Sequence, residues 1–200
     1  MKNIVVFDLG RVLVDFDYSI AARRIAAHSD LPAAQVETLI RQSGLIIDYE
    51  LGRLKRAEFF EQICQATGFR GTLGEFSGFF ADIFTPIPPM IELHAKLRRQ
   101  NILTYILSNT NDLAIEHIRR HFQFFSDFDG YIFSHEIGLM KPDAKIYEAL
   151  EKLSGCRGEE IIYLDDLLEN AKAGGIRGWQ AILHESPDKS QAALRKILSV

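Results

Sequence analysis

Short apolar runs of strand length recur along this chain of 200 residues. They occupy residues 4–7, 103–107, 131–133, 161–164 and 180–183. Continuous apolar runs without polar alternation are typical of strands that are buried on both faces of a parallel sheet. The pattern therefore predicts five buried parallel strands.

Helical patterns separate the last four of these runs, at residues 113–122, 144–153 and 167–173. A further helix is predicted over residues 90–99, after a proline-rich segment at 85–89. Strands that alternate with helices imply right-handed crossovers and helices on both faces of the sheet. The predicted fold is therefore α/β, with a doubly wound, parallel, Rossmann-like sheet.

The segment between the first two strands is too long for a simple crossover, and it is helical in pattern and rich in phenylalanine. We interpret it as an inserted helical cap domain. The predicted division is a Rossmann-like catalytic core of residues 1–15 and 87–200 and a helical cap of residues 16–86. Hinges are expected near residues 15–18 and 85–89.

Composition and charge favour a small-molecule substrate over a macromolecular one. The formal net charge is −4, and the basic residues are spread along the chain instead of forming a stripe that could follow a nucleic-acid backbone. No apolar stretch approaches membrane-spanning length, and the N-terminus lacks a signal-peptide pattern, so a cytoplasmic location without membrane contact is expected. The sequence leaves the oligomeric state open.

Polar residues follow the predicted strands at their carboxyl ends, where open parallel sheets bind ligands. They are Asp8, Ser108 with Asn109, and Asp165 with Asp166, joined by Lys141 in the loop after the third strand. Each residue alone could simply end a strand or cap a helix. Together, carboxylates, a hydroxyl and a lysine suit a phosphoryl group held by Mg²⁺, and their order at consecutive strand ends favours that chemistry.

Four stretches of the sequence, VVFDLGRVLVDFD, YILSNTN, GLMKPDAKIY and IIYLDDLLENAKAGGIRG, resemble the four motifs of the haloacid dehalogenase superfamily. The resemblance covers essentially the whole core. It implies that Asp8 is the nucleophile, Ser108 the phosphate-binding hydroxyl, Lys141 the motif-three lysine and Asp166 the motif-four metal acid. Asp165 stands where many members have glycine and is an accessory metal candidate.

Within the superfamily, the chain looks most like the sugar-phosphate phosphatases that include glucose-1-phosphatase. We therefore predict a Mg²⁺-dependent phosphatase that hydrolyses a small phosphomonoester, such as glucose 1-phosphate, through an aspartyl-phosphate. The predicted catalytic residues are Asp8 and Lys141, and the predicted phosphate-binding residues are Ser108, Asn109 and Lys141. The predicted metal ligands are Asp8, the Gly10 carbonyl, Asp166 and Asp165.

The sequence departs from the superfamily pattern just after the nucleophile. Most phosphatases of this superfamily have a second Asp two residues later, as general acid and base, but this chain has Gly10 there and Arg11 next. The leaving group then has no obvious proton donor, which predicts a preference for good leaving groups such as sugar 1-phosphates. Asp15 is a possible substitute acid, although a turn or hinge role is favoured for it.

Two other functions stay open at this stage. One is a 2-haloacid dehalogenase, which needs no metal and would leave the Asp165-Asp166 pair unexplained. The other is a non-catalytic phosphate-binding or scaffold protein, in keeping with the missing acid at Gly10. In the insert, Arg53, Lys55 and Arg56 are expected to form a solvated charged face, with contact to an anionic substrate as the alternative.

Overall fold

A computed structural model describes residues 3–198, which form seven β-strands and eleven α-helices together with two short 3₁₀-helices. The strands are β1 (Ile4–Phe7), β2 (Val14–Phe16), β3 (Phe84–Pro86), β4 (Leu103–Ser108), β5 (Gly130–Phe133), β6 (Ile161–Asp165) and β7 (Gln180–Leu183). The helices are α1 (Tyr18–Ala26), α2 (Ala33–Gln42), α3 (Gly44–Glu50), α4 (Arg56–Thr67), α5 (Leu73–Ala81), α6 (Pro88–Arg99), α7 (Asp112–His121), α8 (Ser134–Ile137), α9 (Ala144–Ser154), α10 (Leu168–Ile176) and α11 (Pro187–Leu198).

Five strands form one parallel sheet in the order β5-β4-β1-β6-β7. In the centre, Phe7 of β1 lies opposite Ile106 of β4 and Leu164 of β6. The predicted parallel α/β sheet is confirmed. Two of the strands run one residue further than predicted, so that Ser108 and Asp165 belong to β4 and β6 themselves.

Helices cover both faces of this sheet because successive residues of a strand point to opposite sides. Val5 and Phe7 of β1 pack in one apolar cluster with side chains of α6, α7 and α11. Ile4 and Val6 pack in the other cluster, which includes side chains of α9. The buried β1 strand therefore holds the two layers together and fixes the position of the residue that follows it.

The insert, α1 to α5, leaves and rejoins the sheet through an antiparallel ribbon of β2 and β3. It has an apolar core of its own, in which Tyr49 stacks on Phe59 at 4.3 Å and Phe76 stacks on Phe80 at 5.7 Å between ring centroids. Both domain boundaries predicted from the sequence fall at this ribbon. A division of the chain into core and cap at these positions stays a prediction.

Several helix ends differ from the sequence expectation. The helix predicted over residues 90–99 begins at Pro88, because proline is tolerated in the first turn, where the backbone N–H has no intrahelical partner. Helix α7 begins at Asp112, with the Asn111 side chain accepting a hydrogen bond from the Ala114 N–H. Among the described helices, none combines the length and apolar character needed to cross a lipid bilayer.

Candidate active site

The carboxyl ends of three adjacent strands bring the predicted site residues together. Asp8 follows β1, and its N–H donates to the Leu164 carbonyl of β6 at 2.8 Å. Ser108 ends β4 on one side, and Asp165 ends β6 on the other. All three are buried. The sheet order β4-β1-β6 thus places the hydroxyl and the second acid on either side of Asp8.

Lys141 joins two of these carboxylates from the loop before α9. Its ammonium Nζ lies 3.0 Å from Asp8 Oδ1 and 2.6 Å from Asp165 Oδ2. The side chain is only 1% exposed. Burial opposes its charge, but the carboxylates of Asp8 and Asp165 outweigh burial and raise the pKa of Lys141. Lys141 is therefore a fixed positive charge beside Asp8.

The side chain of Asn109 holds this lysine loop in place. Its Oδ1 accepts from the Lys141 N–H at 2.8 Å, and its Nδ2 donates to the Lys141 carbonyl at 3.0 Å. The Ser108 hydroxyl has a long contact of 3.4 Å to the Asn109 carbonyl. Asn109 therefore positions Lys141 through its amide group. The predicted binding of phosphate by Ser108 and by Asn109 stays a prediction.

Asp165 is enclosed by hydrogen-bond donors. Its Oδ2 accepts from Lys141 and, at 2.5 Å, from the Tyr163 hydroxyl. Its Oδ1 accepts from the Leu167 N–H at 2.8 Å and from Asn170 Nδ2 at 3.0 Å. A carboxylate with this many donors holds the loop after β6 in one conformation. Its predicted role as a metal ligand stays a prediction.

Three carboxylates meet closely enough to hold a divalent cation. One oxygen each of Asp8, Asp165 and Asp166 lies within 4.8 Å of the others. Burial raises the pKa of Asp8 to about 7, Lys141 opposes this rise, and the two other carboxylates add to it. A divalent cation would offset that repulsion, and oxygen donors are the ligands that Mg²⁺ prefers. The donor set therefore fits Mg²⁺.

Asp166 differs from the other two acids in its accessibility. It is partly exposed, whereas Asp8 and Asp165 are buried. Burial raises the pKa of Asp166, and the charge of Asp165 raises it further. A carboxylate that is open to the cavity and near two other acids suits direct contact with a cation. Asp166 is thus the most accessible of the three acids. Contact between a metal and the Gly10 carbonyl also stays a prediction.

A cavity of about 400 Å³ opens between the strand ends and the insert. On the sheet side it is lined by Asp8, Gly10, Arg11, Asn109, Lys141, Asp166, Leu167 and Asn170. On the insert side and the ribbon it is lined by Phe16, Tyr18, Ile40, Arg41, Ile46 and Glu50. A larger cavity of about 860 Å³ lies between α5 and α7, away from Asp8. The smaller cavity is the candidate active site because it contains the clustered acids and the lysine.

Arg11, one of the two departures from the superfamily pattern, lines the cavity and pairs with Asp15. Arg11 has a left-handed backbone with φ of 59°, and its guanidinium lies 4.6 Å above the Phe16 ring. It forms an ion pair with Asp15, whose side chain is 54% exposed. Asp15 lies in β2 of the ribbon and outside the residues that line the cavity. Its geometry suits the favoured hinge role and not a substitute acid.

Sequence reasoning missed several residues at the site, and three of them bear on its chemistry. Tyr163 and Asn170 bind Asp165, and Glu50 reaches the cavity from α3. Asn170 carried a usable signal, since it lies in the first turn of α10, the helix that follows the acid pair. Tyr163 also carried one, because it lies two residues before Asp165 in β6 and alternate residues of a strand share a face. Glu50 lies in the insert, so its approach to the site depends on tertiary packing.

The charged segment of the insert is only partly solvated. Arg53 pairs with Asp48 at 2.9 Å, and its side chain is 66% exposed, as expected. The Arg56 side chain is 29% exposed and forms ion pairs with Asp112 at 2.8 Å and Glu116 at 2.6 Å. The solvated interpretation was therefore wrong for Arg56, because docking against α7 gives it two carboxylate partners.

Comparisons with known proteins agree with this architecture. Residues 2–175 match the family model described as haloacid dehalogenase-like hydrolase. Over its full length the chain is 26% identical to a D-ribitol-5-phosphate phosphatase from Bacteroides thetaiotaomicron, and it covers 99% of that protein. A hydrolase of predicted haloacid dehalogenase-like type from Porphyromonas gingivalis has a similar structure, with a TM-score of 0.84, 24% identity and coverage of 100% of this chain and 99% of that one.

A second similar structure is a haloacid dehalogenase family enzyme from B. thetaiotaomicron in complex with magnesium and inorganic phosphate. Its TM-score is 0.81 at 22% identity, and the match covers 91% of this chain and 93% of that one. The likeness to this superfamily and the expectation of a hydrolase are confirmed, whereas the narrower likeness to glucose-1-phosphatase is not. With a family model matching most of its length, the chain belongs to the haloacid dehalogenase-like hydrolases.

Proposed function

We propose that this hydrolase is a Mg²⁺-dependent phosphatase of small phosphomonoesters that works through an aspartyl-phosphate on Asp8. The observation that carries the proposal is the placement of the Asp8 carboxylate. It is buried, it lies 3.0 Å from the Lys141 ammonium, and two further acids lie within 4.8 Å. The similarity to a D-ribitol-5-phosphate phosphatase supports the same reaction class.

The contacts of Asp8 prepare it for in-line attack on phosphorus. The Leu9 N–H donates to Asp8 Oδ1 at 2.6 Å, and Lys141 contacts the same oxygen. These two donors fix the rotation of the carboxylate and leave Oδ2 uncommitted to either of them. Attack by a carboxylate oxygen on the phosphoryl group forms the acyl phosphate and releases the alcohol, and water then cleaves the acyl phosphate.

Charge neutralisation is the second task of the site, since phosphoryl transfer depends mainly on positioning and electrostatics. Lys141 is held beside Asp8 by Asp165 and by the Asn109 amide, so its charge is available to the phosphoryl oxygens without reorganisation. Mg²⁺, held by Asp8 and Asp166 with the Gly10 carbonyl and Asp165 as further candidates, would supply the remaining positive charge.

The cavity indicates the size of the substrate. A volume of about 400 Å³ suits a small organic phosphate. Phe16, Ile40 and Ile46 give its insert side an apolar surface, and Tyr18 and Arg41 add polar groups. We propose sugar and polyol phosphates, including glucose 1-phosphate, as the first candidates to test.

The test is a screen of the purified chain against sugar phosphates, polyol phosphates, nucleotides and phosphorylated acids, with Mg²⁺ and with EDTA. We expect phosphate release that requires Mg²⁺ and returns when Mg²⁺ is restored. A parallel assay for halide release from 2-haloacids addresses the dehalogenase alternative, which needs no metal. Metal-independent halide release without phosphatase activity would overturn the proposal.

A further inference from the structure

The proposed reaction needs a proton for the departing alcohol, and the position two residues after Asp8 cannot supply it. Gly10 has no side chain, and a Cβ added there would lie 2.9 Å from Phe16 Cε1. Asp15 forms an ion pair with Arg11 and is not among the residues that line the cavity. The proton donor must therefore come from another element that reaches the cavity.

Glu50 is the carboxyl group that the insert contributes to this cavity. It ends α3 and lines the cavity together with Asp8, Asn109 and Lys141. It also lines an adjoining recess of about 50 Å³ that includes Ser108. Within residues 3–198, the Glu50 carboxyl forms neither a hydrogen bond nor an ion pair at bonding distance, so it is available to a substrate.

The side of the cavity on which Glu50 lies is the side on which the leaving group must depart. In-line displacement places the leaving oxygen opposite the attacking oxygen, with phosphorus between them. Asp8 attacks from the sheet side, so the leaving oxygen points toward the insert. Glu50 stands on that insert side of the same cavity.

Contacts on both sides of Glu50 hold this part of the insert against the core. The Tyr49 hydroxyl donates to the Asp112 carboxylate at the start of α7. Gly52 has a φ of 67°, and a Cβ added there would lie 2.2 Å from the His135 carbonyl oxygen of α8. Only glycine tolerates both that backbone angle and that close approach. Glu50 thus lies between two fixed contacts, which hold it at the cavity that Asp8 also lines.

The surroundings of Glu50 shift its pKa toward neutrality. Burial raises its pKa to about 7, although the positive charge of Lys141 opposes the rise. The other charged or titratable groups that line the cavity are Asp8, Arg11, Tyr18, Arg41 and Asp166. A carboxyl group with a pKa near 7 can both give and take a proton near neutrality, as a general acid and base requires.

We infer that Glu50 is the general acid and base of this enzyme. The insert supplies this residue in place of the acid that is absent at position 10. The inference rests on the proposed phosphatase function. As Asp8 bonds to phosphorus, the bond from phosphorus to the ester oxygen breaks, and that oxygen takes the Glu50 proton. The products of this step are the alcohol, the aspartyl-phosphate and the Glu50 carboxylate.

The second step restores both residues. The Glu50 carboxylate takes a proton from water as the water oxygen bonds to phosphorus, and the bond from phosphorus to Asp8 breaks. Inorganic phosphate leaves, Asp8 is again a carboxylate, and Glu50 is again protonated. With this donor present, the preference for good leaving groups that Gly10 predicts is not expected.

The test compares the full-length wild-type chain with Glu50→Gln on alkyl phosphates and on aryl phosphates of graded leaving-group acidity. For alkyl phosphates, we expect Glu50→Gln to lower kcat/KM by about 10²–10⁴-fold, the usual contribution of general acid catalysis. For aryl phosphates with acidic phenols, kcat/KM should change little, because these leaving groups need no proton. A burst of phenol should appear, since breakdown of the aspartyl-phosphate also loses its base.

The pH profile gives a second readout. On an alkyl phosphate, wild-type kcat/KM should fall as pH rises through about 7, where Glu50 loses its proton, and this limb should be absent in Glu50→Gln. The matched control is Glu61→Gln, the same substitution at an exposed position of α4 in the insert. Glu61→Gln should have the wild-type kcat/KM on both substrate classes and the wild-type pH profile.

The outcomes separate this inference from the proposed function. An equal loss of kcat/KM on alkyl and aryl phosphates would assign Glu50 to binding and overturn the inference. Unchanged activity on both classes would overturn it as well. Failure of the wild-type chain to hydrolyse even the most reactive aryl phosphate with Mg²⁺ would instead reject the phosphatase function itself.

Discussion

At the scale of single residues, the Asp8 carboxylate is expected to be indispensable for chemistry and dispensable for folding. Asp8→Asn keeps the shape of the side chain but removes the anionic nucleophile, so turnover should fall by at least about 10³-fold. Phosphate release with Mg²⁺ measures the loss, and a thermal unfolding scan checks that the fold is intact. Turnover close to wild type would contradict the covalent mechanism.

Substitution of the adjacent acids Asp165 and Asp166 should have different effects, one on stability and the other on the Mg²⁺ requirement. Asp166 is open to the cavity, so Asp166→Asn should raise the Mg²⁺ concentration needed for half-maximal activity by at least about tenfold. Asp165 accepts from Lys141, Tyr163 and Asn170, so Asp165→Asn should mainly lower the unfolding midpoint and displace Lys141.

Mg²⁺ titrations of activity and thermal unfolding scans of both variants measure these two effects. Each variant serves as the control for the other, because the two substitutions are identical and adjacent. The predicted difference would be wrong if Asp165→Asn shifted the Mg²⁺ requirement as far as Asp166→Asn while leaving stability unchanged.

At the scale of secondary-structure elements, the contact between α4 and α7 is expected to hold the insert over the site. Arg56 of α4 pairs with Asp112 and Glu116 of α7, and Tyr49 also binds Asp112. Arg56→Ala should therefore lower kcat/KM by about threefold to tenfold, since one or two partly exposed charged hydrogen bonds are lost. Arg53→Ala is the matched control, because its partner Asp48 lies within the insert.

Hydrogen exchange provides the structural readout for this prediction. Loss of the Arg56 contacts should increase exchange in α3 and in the β2-β3 ribbon, where hinges are predicted. Saturating substrate analogue should reduce exchange at the same places in wild type. Identical exchange in wild type, Arg56→Ala and Arg53→Ala would reject a closing role for this contact.

At the scale of the whole molecule, the fold is expected to lose stability in mild acid because of His94. Its ring stacks on Phe128 with centroids 3.9 Å apart, and its Nε2 lies 3.1 Å from Thr104 Oγ1. Burial, followed by the charge of Arg98, lowers the pKa of His94 to about 4 from the ordinary 6.5. Between these values the unfolded chain binds more protons than the folded one, so stability falls as pH falls from about 6.5 to 4.

Urea unfolding at pH 7 and pH 5 measures this effect. His94→Phe keeps the aromatic stack without a titratable ring, so its free energy of unfolding should fall less over this range than that of wild type. His121→Phe, on the exposed part of α7, is the control and should lose as much stability as wild type. An equal loss in all three proteins would show that other groups cause the acid sensitivity.

The sequence by itself determined the sheet and the residues at its edge. Unbroken apolar runs such as residues 161–164 are typical of strands buried on both faces, and their alternation with helical patterns favours the parallel α/β fold. The residues after those runs, Asp8, Ser108 and the Asp165-Asp166 pair, then meet at one edge because parallel strands end on the same side. The order of apolar runs and polar residues along the chain is therefore enough to predict where these side chains meet.

Tertiary structure decided which of these residues are open and what faces them. Asp165 and Asp166 are neighbours in sequence, but Tyr163 and Asn170 enclose the first and the cavity exposes the second. Glu50 lines the same cavity as Asp8 because the insert docks on α7 and α8, a contact between residues far apart in the chain. The apolar pattern predicts which residues are buried but not which surface of the core the insert packs against. The residue that the insert contributes to the site was therefore visible only in the folded structure.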